Sequence, residues 1–268
     1  MFSDNTAVNG GVIKVHGGKL FLTKNFFVNN TAQDFGGALY AQSCYINSSE
    51  NDLSTNHASH GGGAVNAKKS YGTFKDDTLY VNTAGKDGGA LSFSSSNVTL
   101  TTMEVLQNVA FNGGAVSSFF SNVSLLSSTL EQNKATLRGG ALYVENSLLI
   151  IVGNSFSFNT VNSSRKLSAI NASIFTNNSQ IRGKRNVFFP LNIMIKEGGA
   201  QVSASTRDGH NMAVFKSHLT GLPLPTMRRN GAAFTPDIAA NYSEFMNKAR
   251  NAFPNNHRNN HKVATERD

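Results

Sequence analysis

Tryptophan is absent from the 268 residues, cysteine occurs once, and charged side chains make up only 15%. One cysteine, Cys44, excludes an intramolecular disulfide framework and any multi-cysteine zinc site. A charged fraction far below the roughly 25% of ordinary globular proteins disfavours a coiled coil, a long charged helix or a charged disordered chain. The longest apolar run, residues 148–152, is far short of the roughly 18 residues that a spanning helix needs, so no membrane-spanning segment is expected. No basic segment followed by an apolar run opens the chain, so no signal peptide is visible. Proline is missing from the first 189 residues; all five occur at positions 190, 223, 225, 236 and 254. A proline inside a strand removes a ladder hydrogen bond, so this partition suits continuous sheets upstream.

The formal charge of +8 divides in the same place. Residues 1–179 hold 11 basic and 10 acidic side chains, whereas residues 180–268 hold 13 and 6. A nearly neutral body thus carries a basic tail, without the motifs or aromatic interleaving of a nucleic-acid reader, so no nucleic-acid partner is expected.

Glycine is plentiful, with 24 residues, and much of it is periodic. The unit is an apolar residue, two variable positions, Asn, one variable position, Ala, then two or three residues and Gly-Gly-Ala-aliphatic. In-phase copies are Phe27, Asn30, Gly36 and Gly37; Leu53, Asn56, Gly62 and Gly63; Leu79, Asn82, Gly88 and Gly89. Val105, Asn108, Gly113 and Gly114 follow, then Leu130, Asn133, Gly139 and Gly140, and an earlier copy begins at Phe2 and Asn5. Asn to Asn, the period is 25 or 26 residues, the range of solenoids. Phe156 and Asn159 keep phase, but Val161 replaces Ala and Arg165-Lys166 fall where the Gly pair belongs. Phe175 and Asn178 read as a half-copy out of register.

Within a unit the alternation is short and of period two, with no helical periodicity. Three short strands separated by Asn, Ser and Gly suit a three-sided parallel coil, and stacking buries apolar positions that one unit cannot bury alone. The expected fold is all-β: a parallel β-helix (solenoid) of about six to seven coils over residues 1–180. Stacked Asn side chains close turns and can bond to each other along the axis. The Gly pair allows positive φ or close backbone approach at a corner. Because Phe2 already sits inside a unit, the first coil lacks its upstream half, and the chain is expected to be a piece of a longer protein.

Phe-x-x-Asn followed by Gly-Gly-Ala-(Ile/Leu/Val) resembles the chlamydial polymorphic outer-membrane protein repeat over residues 2–161. Phe-x-x-Asn is literal in phase only at Phe2–Asn5, Phe27–Asn30 and Phe156–Asn159, and Gly10-Gly11-Val12-Ile13 departs by one residue from the tetrapeptide. The resemblance implies a right-handed parallel β-helix passenger displayed outside the cell or at its surface, on the outer membrane if bacterial. It further implies adhesion to host or neighbouring cell-surface molecules or glycans, with binding through Phe2, Asn5, Phe27, Asn30, Phe156 and Asn159; self-association is a separate expectation for the chain. The chain does not end in an aromatic-terminated barrel, so self-anchoring in an outer membrane is not expected.

Signs of chemistry are few. A glycoside hydrolase needs two carboxylates facing each other across the sugar. Asp76-Asp77 is the one adjacent pair in the repeats and reads as solvated turn residues. Arg207-Asp208-Gly209-His210 stands alone outside them. His57 and His60 flank a turn without a third ligand, and His257 and His261 lie in an Asn-rich segment; exposed polar residues account for both pairs. Cys44 aligns with an apolar column and reads as a small buried hydrophobe. Asn-x-Ser/Thr sequons occur at Asn29, Asn47, Asn97, Asn122, Asn162, Asn171, Asn177 and Asn241, about as often as this composition produces by chance. No catalytic residue, metal or cofactor is therefore expected. The reading is a non-enzymatic surface or secreted adhesion or scaffold protein, with a carbohydrate-active β-helix enzyme as the alternative. Residues 181–268 form a separate tail, in which residues 237–253 have apolar positions at helical spacing.

Overall fold

The computed structural model describes residues 1–162, 173–189, 194–197, 201–205, 213–214, 227–229 and 232–233. The expected helix at 237–253, the Arg207–His210 tetrad and the pair His257/His261 lie outside these residues.

The chain winds into a parallel β-solenoid. Its first turn consists of β1 (Phe2–Ser3), β2 (Thr6–Asn9), β3 (Ile13–His16) and β4 (Lys19–Thr23). Each strand pairs in parallel with its equivalent one turn later, for example Phe2 with Phe27, Ile13 with Leu39 and Lys19 with Tyr45. Four sheets result: sheet A through β1, sheet B through β2, sheet C through β3 and sheet D through β4, with eight, seven, eight and eight strands. A coil therefore has four strands, where the alternation pattern suggested three. The fourth belongs to sheet B, whose strands shrink to His57–Ala58 and Thr83–Ala84. Only one residue of each such strand points inward, always a small one, so there is no alternation to read.

The core is built of stacked columns. Sheet A contributes Phe27, Leu53, Leu79, Val105, Leu130 and Phe156, all almost wholly buried. Phe2 stacks on Phe27 at 5.2 Å and Phe156 on Phe188 at 4.8 Å. Sheet B presents Ala32, Ala58, Ala84, Ala110 and Ala135, which bring its backbone close to the interior. Sheet C turns in Leu39, Val65, Leu91, Val116, Leu142 and Ile174. On sheet D the sizes compensate within a strand: Gly72 leaves room beside Phe74, which packs against Phe93 at 6.0 Å. Burying a Leu or Phe side chain stabilises by roughly 1.5–3 kcal/mol, and no coil could do this without its neighbours.

Irregular lengths are absorbed locally. The shorter Ala7–Gly10 and Ala110–Gly113 spacings appear as register shifts inside sheet B, between Ala7 and Asn9 and between Ala110 and Asn112, and so as bulges within the strand ladder. After Val161 one turn is longer, with Ser147 meeting Ser179 and Asn154 meeting Asn186, 32 residues on in each case. Phe175 therefore does not enter the Phe column; it pairs with Tyr143 in sheet C, and Phe188 takes the place over Phe156. The parallel pairing continues past residue 180 through Gln180–Lys184, Val187–Phe189, Met194–Glu197 and Gln201–Ser205. A short antiparallel ladder joins Ala213–Val214, Met227–Arg229 and Ala232–Ala233. Among the described residues no helix is long and apolar enough to cross a membrane.

Candidate functional site

Between sheets A and B the chain turns through Asn5, Asn30, Asn56, Asn82, Asn108, Asn133 and Asn159, one per coil. Asn82 is representative. Its Oδ1 accepts from the backbone N–H and Nδ2 of Asn56 at 2.9 and 3.0 Å. Its Nδ2 donates to Asn108 Oδ1 at 3.0 Å and to the Leu53 carbonyl at 2.7 Å. The amides thus form a continuous ladder that also satisfies backbone groups at a corner, where the sheets cannot. The left-handed conformation falls on the residue before each Asn: Asp4, Asn29, Thr55, Val81, Gln107, Gln132 and Phe158 all have positive φ. The bend thus falls one residue before the Asn whose side chain closes the turn. The ladder residue is free to bond because its predecessor makes the bend.

Two further corners follow the same plan. Between sheets C and D, Cys44, Ser70, Ser96, Ser121, Ser147 and Ser179 stack, each backbone N–H donating to the next hydroxyl, starting with Cys44 N to Ser70 Oγ at 3.2 Å. Cys44 is buried as expected, but it belongs to this corner; the apolar column of sheet D runs from Leu20 to Ile46. Between sheets D and A the stack is Asn25, Asn51, Asp77, Met103, Ser128, Asn154 and Asn186.

Asp77 breaks the pattern. It is 1% exposed, which overturns its reading as a solvated turn residue; Asp76 is the exposed member of the pair. Its Oδ1 accepts from the Asn51 backbone N–H at 2.7 Å and from Asn51 Nδ2 at 2.9 Å, but its buried Oδ2 has no partner. Burial pushes its carboxyl above the ordinary range, against the lowering effect of those bonds and of the nearby Ser48 hydroxyl. A raised carboxyl makes the fold most stable below the unfolded value of about 3.9 and less stable as pH rises through the folded value. Asp77→Asn is therefore expected to raise stability at pH 7 by about 1–2 kcal/mol, by relieving a buried unpaired acceptor. The gain should shrink towards pH 4, as thermal melts across pH will report.

The Gly pairs make the fourth corner, between sheets B and C. Gly62 has φ +65°, and a Cβ on Gly63 would lie 2.1 Å from the carbonyl oxygen of Gly89 in the next coil. Both sequence-based reasons for the pair hold, divided between its two members: the first glycine makes the bend and the second permits contact between coils. The pairs at 36–37, 88–89 and 113–114 repeat this arrangement, and at 139–140 a Cβ on the second glycine would instead meet the Thr160 backbone nitrogen at 2.6 Å.

Of the residues carrying Phe-x-x-Asn, Phe27, Asn30, Phe156 and Asn159 have at most 1% exposure, in the core and the corner ladder. Phe2 is 42% exposed on the first coil, and Asn5 donates to Asn30 Oδ1 at 2.9 Å. The motif residues are thus arranged in columns along the axis rather than gathered in one pocket.

One polar cluster on the outer wall escaped sequence reasoning. Beside the B–C corner, the residue before the Gly pair forms the column Gly61, Asp87, Asn112 and Arg138. Asn112 Nδ2 donates to Asp87 Oδ1 at 3.0 Å. Burial raises the Asp87 carboxyl, Asn112 and Lys86 oppose this, and Glu145 adds repulsion. On sheet C, Tyr143 donates to Glu145 Oε2 at 2.6 Å and stacks on Phe175 at 5.5 Å, with Arg138 over the Phe175 ring at 4.8 Å. Burial and the Glu145 carboxylate raise the Tyr143 hydroxyl, which stays protonated and serves as a donor. Aligning the units on their Gly pairs would have put these residues in register. His60 and Asp34 stand in the neighbouring coils, Nδ1 to Oδ1 3.4 Å. Among the described residues no three His, Cys, Asp or Glu side chains gather to hold a metal.

No curated protein and no solved structure matches this chain. Residues 26–42, which run from the Phe column through the Asn corner and the Gly pair to the end of a sheet C strand, match the family model of the Chlamydia polymorphic membrane protein repeat.

Proposed function

We propose that this chain is a section of a surface-displayed or secreted β-helix repeat protein that works without catalysis, as an adhesion or scaffold module. The observation that carries this reading is the division of labour within a coil. The residues that recur, Asn and Gly-Gly-Ala with the apolar column, turn inward or lock corners, while the outward positions differ from coil to coil. The result is a rigid rod whose faces can vary without disturbing its interior, which suits contact with other surfaces. The partners proposed are cell-surface molecules or glycans. Beads coated with the folded chain are expected to bind cells better than beads coated with the heat-unfolded chain; equal binding would contradict the reading.

The clustering of Asp87, Asn112, Arg138, Tyr143 and Glu145 favours a second reading, a carbohydrate-active enzyme, since two carboxylates and a cation near one corner are components of such sites. Against it, Tyr143 and Asn177 already hold the Glu145 carboxylate. Reducing-sugar release that vanishes in Asp87→Asn or Glu145→Gln would establish the enzyme and end the non-catalytic reading.

A further inference from the structure

Three rings stand on the outward face of sheet D in three successive coils. Phe21 is 63% and Tyr71 57% exposed, and Tyr45 lies between them, with ring centroids 6.1 Å from Phe21 and 5.3 Å from Tyr71. Tyr45 and Tyr71 are register partners; Phe21 is diagonal to Tyr45, in register with Asn47 and Thr73. The face continues with amides and hydroxyls: Thr73 approaches Asn47 at 3.4 Å, and Asn97 and Thr99 extend the two rows into the next coil. The strands of this face, Lys19–Thr23, Tyr45–Ser49, Tyr71–Lys75, Asn97–Thr101 and Asn122–Leu126, contain no carboxylate.

Exposed rings beside rows of neutral hydrogen-bonding groups are complementary to a ligand with an apolar face and a hydroxylated rim. A pyranose has both. Its axial C–H face stacks on an aromatic ring, and its equatorial hydroxyls reach amides and hydroxyls beside that ring. In an extended chain of equatorially linked pyranoses, the rise per sugar is close to the spacing of adjacent strands, about 4.8 Å, so successive sugars can meet successive coils. The face carries no carboxylate, and its two lysines, Lys19 and Lys75, stand at strand ends with exposed side chains, so their ammonium groups stay in water when a neutral chain covers the rings.

We propose that the outward face of sheet D over the first four coils binds a neutral, extended polysaccharide laid along the solenoid axis, with Phe21, Tyr45 and Tyr71 as the stacking residues. This deepens the surface-binding reading and rests on it. The test is affinity electrophoresis of the full chain in gels containing β-glucan, β-mannan, xylan or galactan. At least one of these is expected to retard the protein, independently of salt. Tyr45→Ala/Tyr71→Ala should bind it roughly tenfold more weakly or not at all. Tyr71→Phe keeps the ring and should retain most of the binding, and unchanged melting of each variant separates stacking from folding. No retardation in any gel, retardation equal in the double alanine variant, or binding confined to a polyanion and abolished by salt would overturn the proposal. Bead adhesion measured alongside keeps the two ideas apart: cell binding without polysaccharide retardation removes this site and leaves the surface-binding reading standing.

Discussion

Gly63→Ala is expected to destabilise the solenoid by more than about 3 kcal/mol, a fall of roughly 10 °C in melting temperature. The methyl group would sit 2.1 Å from the Gly89 carbonyl oxygen and 2.6 Å from the backbone nitrogen and oxygen of Thr83. All three are backbone atoms of the neighbouring coil, so no side chain can swing away to make room. Relief requires the coils to part at this corner, where the N–H of Gly63 donates to the Gly88 carbonyl and that of Ala64 to the Ala90 carbonyl. The same addition on an outward position, for example Ser124→Thr on sheet D, should change stability by no more than about 0.5 kcal/mol. A thermal melt of each variant makes the comparison.

Asn82→Ala should be comparably damaging, by about 3–5 kcal/mol, although it removes atoms instead of adding them. The side chain makes four hydrogen bonds in a site that water does not reach. Its loss strands the backbone N–H of Asn56, an Asn56 amide proton and the Leu53 carbonyl. Each unsatisfied buried group costs roughly 1–3 kcal/mol. Asn82→Asp is informative beside it: the acceptor bonds survive, but a second buried carboxylate oxygen without a donor appears, as at Asp77. That variant should lose stability at neutral pH and recover part of it in acid.

The sequence is most legible where a structural demand admits few residue types. Only Asn satisfies two coils at the A–B corner, and only Gly tolerates both the bend at Gly62 and the contact at Gly63, so these columns are visible as a period. The apolar column of sheet A is legible because nothing polar fits between Phe27 and Leu53. Other features leave weaker traces. The residue with positive φ before each Asn can be Asp, Asn, Thr, Val, Gln or Phe; its side chain points to solvent, so only the backbone is constrained and the composition is mixed. The serine corner looks like loop composition, and its register with Cys44 emerges only from the stacking. Asp77 looks solvated because its neighbour Asp76 is. Nothing in the local sequence says that the ladder position, one residue on, faces inward. The outer cluster of Asp87, Asn112, Arg138, Tyr143 and Glu145 is spread over three units, and stacking alone brings it together.

The central claim is that the recurring Asn residues form a buried ladder holding coil to coil, leaving the outer faces for contact. Hydrogen exchange followed by nuclear magnetic resonance on the side-chain amides of Asn56, Asn82, Asn108 and Asn133 tests it most directly. These protons should exchange as slowly as the core strand amides, because they open only when the stack opens. Exchange as fast as that of the exposed Asn97 amide would contradict the ladder, and with it the inward assignment of the repeat's recurring residues.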